Sequence, residues 1–318
     1  DINLLFDAMR KIIILVARAC DKHKLSFWRQ SAYNIRKLKR LYRTSQSLKR
    51  SRAKKRKRVE ERKERIEKAH RDYVDAAQVY LEKAKGTVDF LLETNRLTVI
   101  TYDTIRHYMG HAERQIDQIR RRVFEGEKIP HEEKVFSIFE EHTEWISKGK
   151  AGVPQELGLK VCVVEDQYGF FLSHMVMRGT HDSEVAIPLM NATKSMFPQL
   201  SSCSFDKNFY TPNNRKHLEK LLDLAVLPKK GKLSEQEKEL ESSDDFVRER
   251  KKHPAVESGI NALENHGLDR CLDHGLRGFE RYVALAITAR NIEILGTIIW
   301  KRKLRKLQKD QPRYRKVS

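Results

Sequence analysis

LGLKVCVVEDQYGFFLSHMVM, residues 157–177, is the stretch that decides the fold. Leu157 to Val164 is an apolar run of strand length, DQYG at 166–169 is typical of a turn, and Phe170 to Met177 is a second apolar run. Two such runs joined by a short turn predict an antiparallel hairpin. The preceding residues have a different pattern, so the hairpin marks a change in the type of structure.

Residues 1–130 have the apolar spacing of helices. A first stripe runs from Leu4 to Ala19, a second helical pattern begins near Ser31, and two more follow near 71–95 and 97–124. We therefore expect an all-α segment before the hairpin.

Downstream of residue 130, short apolar segments alternate with helical ones. Besides the hairpin, we expect an apolar run at 135–139, a helix at 188–197, a strand at 201–205, a helix at 211–224, a strand at 225–227, and helices near 254–266 and 276–300. The highly charged residues 229–252 are typical of a mobile loop. Strands flanked by helices predict a mixed α/β core. It would span 131–300, after the helical region 1–130 and before a basic tail at 301–318.

Positive charge dominates the composition. The chain has 64 Lys and Arg against 44 Asp and Glu, a net charge of +20. Residues 31–70 contain 17 Lys and Arg and 4 Asp and Glu, and 17 − 4 gives +13. This excess favours a polyanionic partner, nucleic acid above all. The alternative is a solvated basic face.

The four cysteines, Cys20, Cys162, Cys203 and Cys271, lie far apart and form no C-x-x-C pair. This pattern is typical of a reduced, intracellular protein, and we expect a cytoplasmic one. The apolar run at 11–19 is short and is interrupted by Arg18, so no membrane partner is predicted.

Two acids stand where a metal site could form. Asp206 follows the strand expected at 201–205, and carboxylates at strand ends face the crevice where ligands bind in α/β sheets. Glu257, 257 − 206 = 51 residues later, lies in the first turn of a helix beside the apolar positions Val256 and Ile260. A turn cap for Asp206 and a helix-dipole contact for Glu257 are the simpler interpretations.

Mg²⁺ is the ion that such acids suggest, with Mn²⁺ as a substitute. It prefers oxygen ligands, and two ions about 3.5–4 Å apart can activate an attacking oxygen and stabilise a leaving one. Zinc has weaker support, because His266, Cys271 and His274 have no fourth ligand at zinc spacing. No nucleotide-binding loop or triad-hydrolase motif occurs.

Clustered cations predict the DNA contacts. The run from Lys49 to Arg58 contains no acid, since the first Glu is Glu60, and KKGK at 229–232 is a second basic run. The predicted DNA-binding residues are Lys49, Arg50, Arg52, Lys54, Lys55, Arg56, Lys57, Arg58, Lys229, Lys230 and Lys232.

Several longer strings resemble one known family, the insertion-sequence transposases with a D-D-E catalytic core, the ISNCY-like group in particular. They are DINLLFDAMRK (1–11), GEKIPHEEKVFSIFEEHTEWISKGK (126–150), SFDKNFYTPNNRKHL (204–218), HPAVESGINALENHGLDRC (253–271) and GLRGFERYVALAITARNIEILG (275–296). The resemblance spans nearly the whole chain. It implies a ribonuclease H-like mixed-sheet core with a large helical insertion.

The same resemblance implies an enzyme that cleaves DNA and transfers strands, with Asp206 as the second catalytic acid and Glu257 as the third. The first Asp is expected on a strand upstream of Asp1. Glu140, Glu144 and Asp166 are the other acids that could be nominated in its place, and turn chemistry is the expected role of Asp166.

Two positions depart from the broader family pattern. His253 stands where many relatives have Arg, and Glu264 stands where they have Lys. Arg250, Lys251 and Lys252 would then bind the phosphate near the third acid. The implied partner is double-stranded DNA, bound by a homo-oligomer in a bacterial cytoplasm.

Two other functions stay open. A non-catalytic DNA-binding protein derived from a decayed transposase would keep the basic surface without the chemistry. An RNA-associated coiled-coil protein would be favoured if the strands of the core were absent.

Overall fold

The computed structural model describes residues 2–50, 56–147 and 155–310, and it is a mixed α/β protein, as expected. The chain divides into two compact units, Asp1–Glu141 and His142–Ser318. The division comes after the boundary that the sequence suggested at residue 130.

Unit 1 is helical, as predicted. The helices among its described residues are α1 (Ile2–Lys22), α2 (Ser31–Arg50), α3 (Arg56–Glu93) and α4 (Val99–Phe124). α2 begins at the predicted Ser31. α4 begins after Thr98, whose hydroxyl accepts a hydrogen bond from the backbone N–H of Thr101 at 3.3 Å and so caps the first turn.

The core of unit 1 is built on the apolar face of α1. Leu5, Met9 and Ile12 of this helix are fully buried and belong to one cluster with side chains of the other three helices. A polar link crosses the core where the indole N–H of Trp28 donates to the Thr87 hydroxyl at 3.0 Å. The run at 135–139 forms no strand, because its Ile138 is buried in this helical core instead.

Unit 2 contains the predicted hairpin. β3 (Lys160–Glu165) pairs antiparallel with β4 (Phe171–Met177), and Cys162 lies opposite Met175. One carboxylate oxygen of Asp166 accepts hydrogen bonds from the backbone N–H groups of Tyr168 and Phe170, at 2.8 and 2.9 Å. The turn role expected for Asp166 is confirmed.

Two other strand pairs complete the sheets of the described residues. β1 (Glu144–Ser147) pairs antiparallel with β2 (Gln155–Gly158), and β5 (Ser202–Ser204) pairs parallel with β6 (Leu224–Val226). The strand expected at 157–164 is thus two strands, separated at Leu159. The described chain therefore has three two-stranded sheets where a single mixed sheet was expected.

Helices cover both faces of the β3–β4 hairpin. Val164 and Met175 point into a cluster with Leu189 of α5 (Asp182–Met196) and Leu218 of α6 (Pro212–Leu221). The alternate side chains, including Val163 and Val176, point into a second cluster with side chains of the last two helices. This alternation is the period of two that a strand buried on both faces requires.

Two helix boundaries show how local caps decide where helices start. α5 begins six residues before the expected Pro188, because the Glu184 side chain accepts from the backbone N–H of His181 at 2.8 Å and caps the first turn. α6 opens as predicted: the Thr211 hydroxyl accepts from the N–H of Asn214 at 3.0 Å, and Pro212 takes the first position. It ends at Leu221, before the expected Leu224.

The segment expected to be a loop at 229–252 contains two helices. They are α7 (Glu235–Ser242), which Ser234 caps, and α8 (Asp244–Lys252). Phe246 of α8 is buried, and on α7 the side chains of Glu237 and Glu241 accept hydrogen bonds from the Lys229 ammonium and backbone N–H, at 2.8 Å each. The S-x-x-E spacing of Ser234 and Glu237 signals the cap in the sequence, whereas the polar composition gives no sign that Phe246 is buried.

The last elements of the described residues are α9 (Ala255–Leu263), a π-helical turn at Glu264–Leu268 and α10 (Gly275–Asp310). Part of the expected basic tail at 301–318 is therefore helical. Within the described ranges, α10 is long and apolar enough over Gly275–Gln308 to cross a membrane, and 11% of its most apolar window is buried. Length and apolar composition do not separate such a helix from one in a water-soluble protein.

Replacing Leu81 with Ala should lower the free energy of unfolding by about 2–5 kcal/mol, because shortening a fully buried Leu leaves a cavity in the core. Val79→Ala on the same helix is the control, since Val79 is 66% exposed and should change stability by under about 0.5 kcal/mol. Urea unfolding followed by circular dichroism measures both. Equal losses of stability would contradict the inward face assigned to α3.

Candidate functional site

Asp206 lies directly after β5, at the end of a short parallel strand pair. The strand is continued by Phe205, which is buried and donates its backbone N–H to the carbonyl of Val226 at 2.9 Å. Asp206 itself is exposed and accepts a hydrogen bond from the N–H of Lys207 at 2.7 Å, as the cap of a 3-10 turn at Lys207–Phe209. The predicted strand-end position is therefore present, together with the capping contact.

Glu257 lies in the first turn of α9 and is exposed. The buried face of this helix runs through Gly259 and Leu263, whereas Ile260, expected inside, is 39% exposed. Glu257 is thus open to solvent or ligand, instead of pressing on a neighbouring sheet. Such a position suits a residue that binds an ion from solution.

A third acid, Glu165 at the end of β3, was missed by the sequence reasoning. It packs on α9 so closely that a Cβ at Gly259 would lie 2.6 Å from its Oε2 atom. That oxygen is buried and has no hydrogen-bond partner among the described residues. Burial raises the pKa of Glu165, and the guanidinium of Arg290 opposes that rise. The sequence signal that could have identified Glu165 was its position as an acid at the end of an apolar strand.

The oxygen donors of Asp206 and Glu257 have the chemistry that Mg²⁺ prefers. In the part of the chain that the structure describes, however, neither acid belongs to a group of three His, Cys, Asp or Glu side chains close enough to share an ion. The residues therefore fit Mg²⁺ by chemistry, whereas the described ranges bring no three-ligand cluster together around either of them.

The other acids and ligands considered from the sequence have local roles. Glu144 accepts the backbone N–H of Gly179 at 2.5 Å. His266 lies 3.2 Å from Glu293, and the Cys271 thiol contacts the carbonyl of Asp273 at 3.5 Å. These contacts hold loop and helix ends together.

The predicted DNA-binding cations differ in what the structure shows of them. Lys49 is exposed at the end of α2, and Lys232 is exposed beyond β6. Lys229 forms an ion pair with Glu237 at 2.8 Å, and Lys230 bonds to the Asn208 side chain. The remaining ones lie outside the described residues (Arg52, Lys54, Lys55) or are described only as backbone (Arg50, Arg56, Lys57, Arg58).

The structure defines a basic groove on α2 more clearly than either basic run that the sequence predicted to bind DNA. The helix has seven Lys and Arg and no acid. Six exposed side chains along one side line a shallow groove: Arg36, Lys39, Arg40, Arg43, Thr44 and Ser47. None of its four cations has an ion-pair partner within the described ranges. These residues lie in the basic segment 31–70, but the sequence did not distinguish them from their neighbours.

A second cluster that the sequence reasoning missed lies on α4. His107 and His111 are one helical turn apart, and their rings lie 4.7 Å from each other, nearly perpendicular. Nε2 of His111 is 2.7 Å from Oε1 of Glu141, and Nε2 of His107 is 3.8 Å from the same oxygen. Burial of the ring is the largest cause that lowers the pKa of His111, and the electrostatic effect of the neighbouring His107 lowers it further. The His111 imidazole is therefore neutral near pH 7.

Comparison with protein-family models, with curated proteins and with solved structures finds no match to this chain. The resemblance to insertion-sequence transposases therefore remains a prediction that rests on the sequence motifs.

Glu165→Gln should stabilise the protein more at about pH 7 than at about pH 4. The pKa of Glu165 is raised in the folded state above its ordinary value of 4.5, so the folded state binds this proton more tightly than the unfolded state. Stability of the parent chain then falls as pH rises through that window, and the variant does not share this loss. Urea unfolding at both pH values measures the difference.

Exposed Glu239 supplies the control, since Glu239→Gln should show no such divergence with pH. A Glu165→Gln variant whose stability parallels that of the parent at both pH values would mean that the carboxylate is solvated.

Proposed function

We propose that this protein binds the phosphate backbone of double-stranded DNA through α2. We further propose that it belongs to the D-D-E transposases and cuts and joins DNA with the help of Mg²⁺. The observation that carries the proposal is the row of unpaired cations in the α2 groove.

The groove has the length and chemistry of a phosphate contact. From Arg36 to Ser47 the helix rises about 16 Å. One DNA strand has a phosphate about every 3.4 Å, so the groove spans about five of them. The hydroxyls of Thr44 and Ser47 already donate to backbone carbonyls of their own helix, at 3.0 Å each. Recognition therefore falls to the cations, which favours contact with any sequence.

The groove is presented by a helix that is firmly held. Leu38 is buried on the opposite side of α2, and the buried Ser45 hydroxyl donates to the carbonyl of Ala69 on α3 at 2.9 Å. Tyr42 stacks on Phe6 of α1, with ring centroids 5.3 Å apart. Because the helix is held in place, its backbone needs no ordering when the cations bind, which favours affinity.

The catalytic part of the proposal is supported by the position of Asp206 after β5 and by the mix of strand pairs around it. An antiparallel pair, β3–β4, and a parallel pair, β5–β6, contribute side chains to one apolar cluster under α5. A ribonuclease H-like mixed sheet needs both kinds of pair. Asp206 and Glu257 would hold Mg²⁺, which when bound supplies charge neutralisation for an attacking and a leaving oxygen.

A non-catalytic DNA-binding protein is the second candidate. It is favoured by one observation: in the described ranges neither Asp206 nor Glu257 is part of a group of three metal ligands. The basic groove on α2 serves this function equally well, so DNA binding alone does not separate the two candidates.

Replacing Arg36, Lys39, Arg40 and Arg43 with Gln should weaken DNA binding to the same degree for unrelated sequences. The slope of log affinity against log salt should become shallower by up to about 3.6, because each phosphate that a cation no longer neutralises removes about 0.9 from the slope. Fluorescence anisotropy with labelled duplexes over a series of salt concentrations measures the slope.

The matched control replaces four exposed cations of the same unit that lie outside the groove: Lys22, Arg29, Arg96 and Arg106. It removes the same charge and should leave most of the slope intact. Equal flattening by both sets would mean that net charge, rather than the groove, drives binding.

Asp206→Asn and Glu257→Gln should each abolish plasmid nicking in Mg²⁺ or Mn²⁺ while leaving DNA affinity unchanged, because each removes a metal ligand. The assay uses the protein extended upstream of Asp1 to include the expected first acid. Asp223→Asn and Glu264→Gln, at exposed acids of the same unit, are the controls and should still nick.

Nicking that survives both Asp206→Asn and Glu257→Gln would overturn the assignment of the two acids. If the parent protein binds DNA and never nicks it, the non-catalytic candidate replaces the transposase.

A further inference from the structure

The His107–His111–Glu141 cluster lies in unit 1 and has no part in the proposed DNA chemistry. From its geometry, we propose that these three side chains bind one divalent transition-metal ion of the Zn²⁺ class. The inference concerns the helical unit alone, and it stands or falls separately from the proposed function.

The spacing of the ligands fits such an ion. The three ligand atoms lie within 4.8 Å of one another. Ligands about 2.0–2.2 Å from a tetrahedral Zn²⁺ are about 3.4 Å apart. The observed separations from Oε1 of Glu141, 2.7 Å to His111 and 3.8 Å to His107, lie on either side of this value. Small rotations of the two exposed side chains bring all three atoms to one centre.

His111 lacks the partners that a buried imidazole normally has. Its side chain is 3% exposed, and neither ring nitrogen has a hydrogen-bond partner among the residues that the structure describes. Oε1 of Glu141, 2.7 Å from Nε2, is the metal-ligand oxygen that this nitrogen meets. Leaving a buried polar group unsatisfied costs about 1–3 kcal/mol. Coordination by Nε2 would offset this cost for that nitrogen.

Glu141 is held in place by the residues before it. Ile138 is buried in the core of unit 1. The next residue, Phe139, packs against Tyr108 with ring centroids 6.3 Å apart, and the Lys11 ammonium lies 5.3 Å from the Phe139 ring. These contacts place the segment that leaves the core opposite the two histidines.

The ligand set selects the class of ion. Two imidazole nitrogens and one carboxylate suit Zn²⁺ and its neighbours Co²⁺ and Ni²⁺, whereas Mg²⁺ prefers oxygen ligands throughout. His107 and Glu141 are 46% and 55% exposed, so the ion can enter from solvent and water can complete its coordination. Bound there, the ion would tie the segment around Glu141 to α4 and stabilise the helical unit.

The test is calorimetric titration of ZnCl₂ into the metal-free chain, with Co²⁺ absorption as a second readout of the same centre. We expect one high-affinity ion per chain and a rise in the thermal midpoint when Zn²⁺ is present. His107→Asn and Glu141→Gln should each weaken binding by more than about 100-fold, beyond the 10–100-fold effect of a merely supporting contact. Both residues are exposed, so their replacement leaves folding intact, which circular dichroism verifies.

His131→Asn and Glu132→Gln, exposed residues of the same unit, make the same chemical changes outside the cluster and should leave binding within twofold. Zinc binding that survives His107→Asn and Glu141→Gln, or no stoichiometric binding at all, would overturn the proposal. Equal competition by Mg²⁺ would overturn the zinc-class assignment. None of these results depends on DNA binding or nicking.

Discussion

Burial of the β3–β4 hairpin on both faces is the constraint on which the rest of unit 2 depends. Val164 and Met175 require α5 and α6 on one side, while Val163 and Val176 require α9 and α10 on the other. At the end of β3, one carboxylate oxygen of Glu165 is buried. Glu165 meets α9 there, and only a glycine at position 259 leaves room for the carboxylate.

Polar groups at the start of β4 and at the end of β3 are satisfied to different degrees. At Phe171, the first residue of β4, the amide of Asn291 both donates to the backbone carbonyl and accepts from the N–H, at 2.9 Å each, and so replaces a neighbouring strand. At Glu165 no equivalent partner meets Oε2 among the described residues. The unpartnered oxygen therefore destabilises the folded state beside α9, the helix that carries Glu257.

Sequence patterns predicted the elements whose signals are local. The helix start at Ser31, the hairpin with its Asp166 turn and the Thr211 cap each depend on a few adjacent residues, and the structure confirms them. Within 229–252, α8 was missed because composition does not reveal that Phe246 is buried, whereas α7 was missed although Ser234 and Glu237 form a capping box, which is a local signal.

The same distinction applies to the candidate sites. The strand-end position of Asp206 could be predicted, since it follows from a run of neighbouring residues. Contacts between Glu165 and Gly259, or between His111 and Glu141, join residues 94 and 30 positions apart (259 − 165 and 141 − 111). No local spacing indicates them, and only the packing of separate elements brings them together.

The distribution of charge in unit 1 gives the last argument for an anionic partner. Two cations on neighbouring helices show the compensated alternative: Arg121 on α4 contacts three carboxylates, and Lys85 on α3 contacts two. A helix that needed only solubility could place a Glu one turn from each Lys or Arg and gain a few tenths of a kcal/mol per pair. α2 has no acid in its 20 residues, so its like charges repel along the groove. A row of phosphates would remove that repulsion, and a purely solvated face would gain nothing from keeping it.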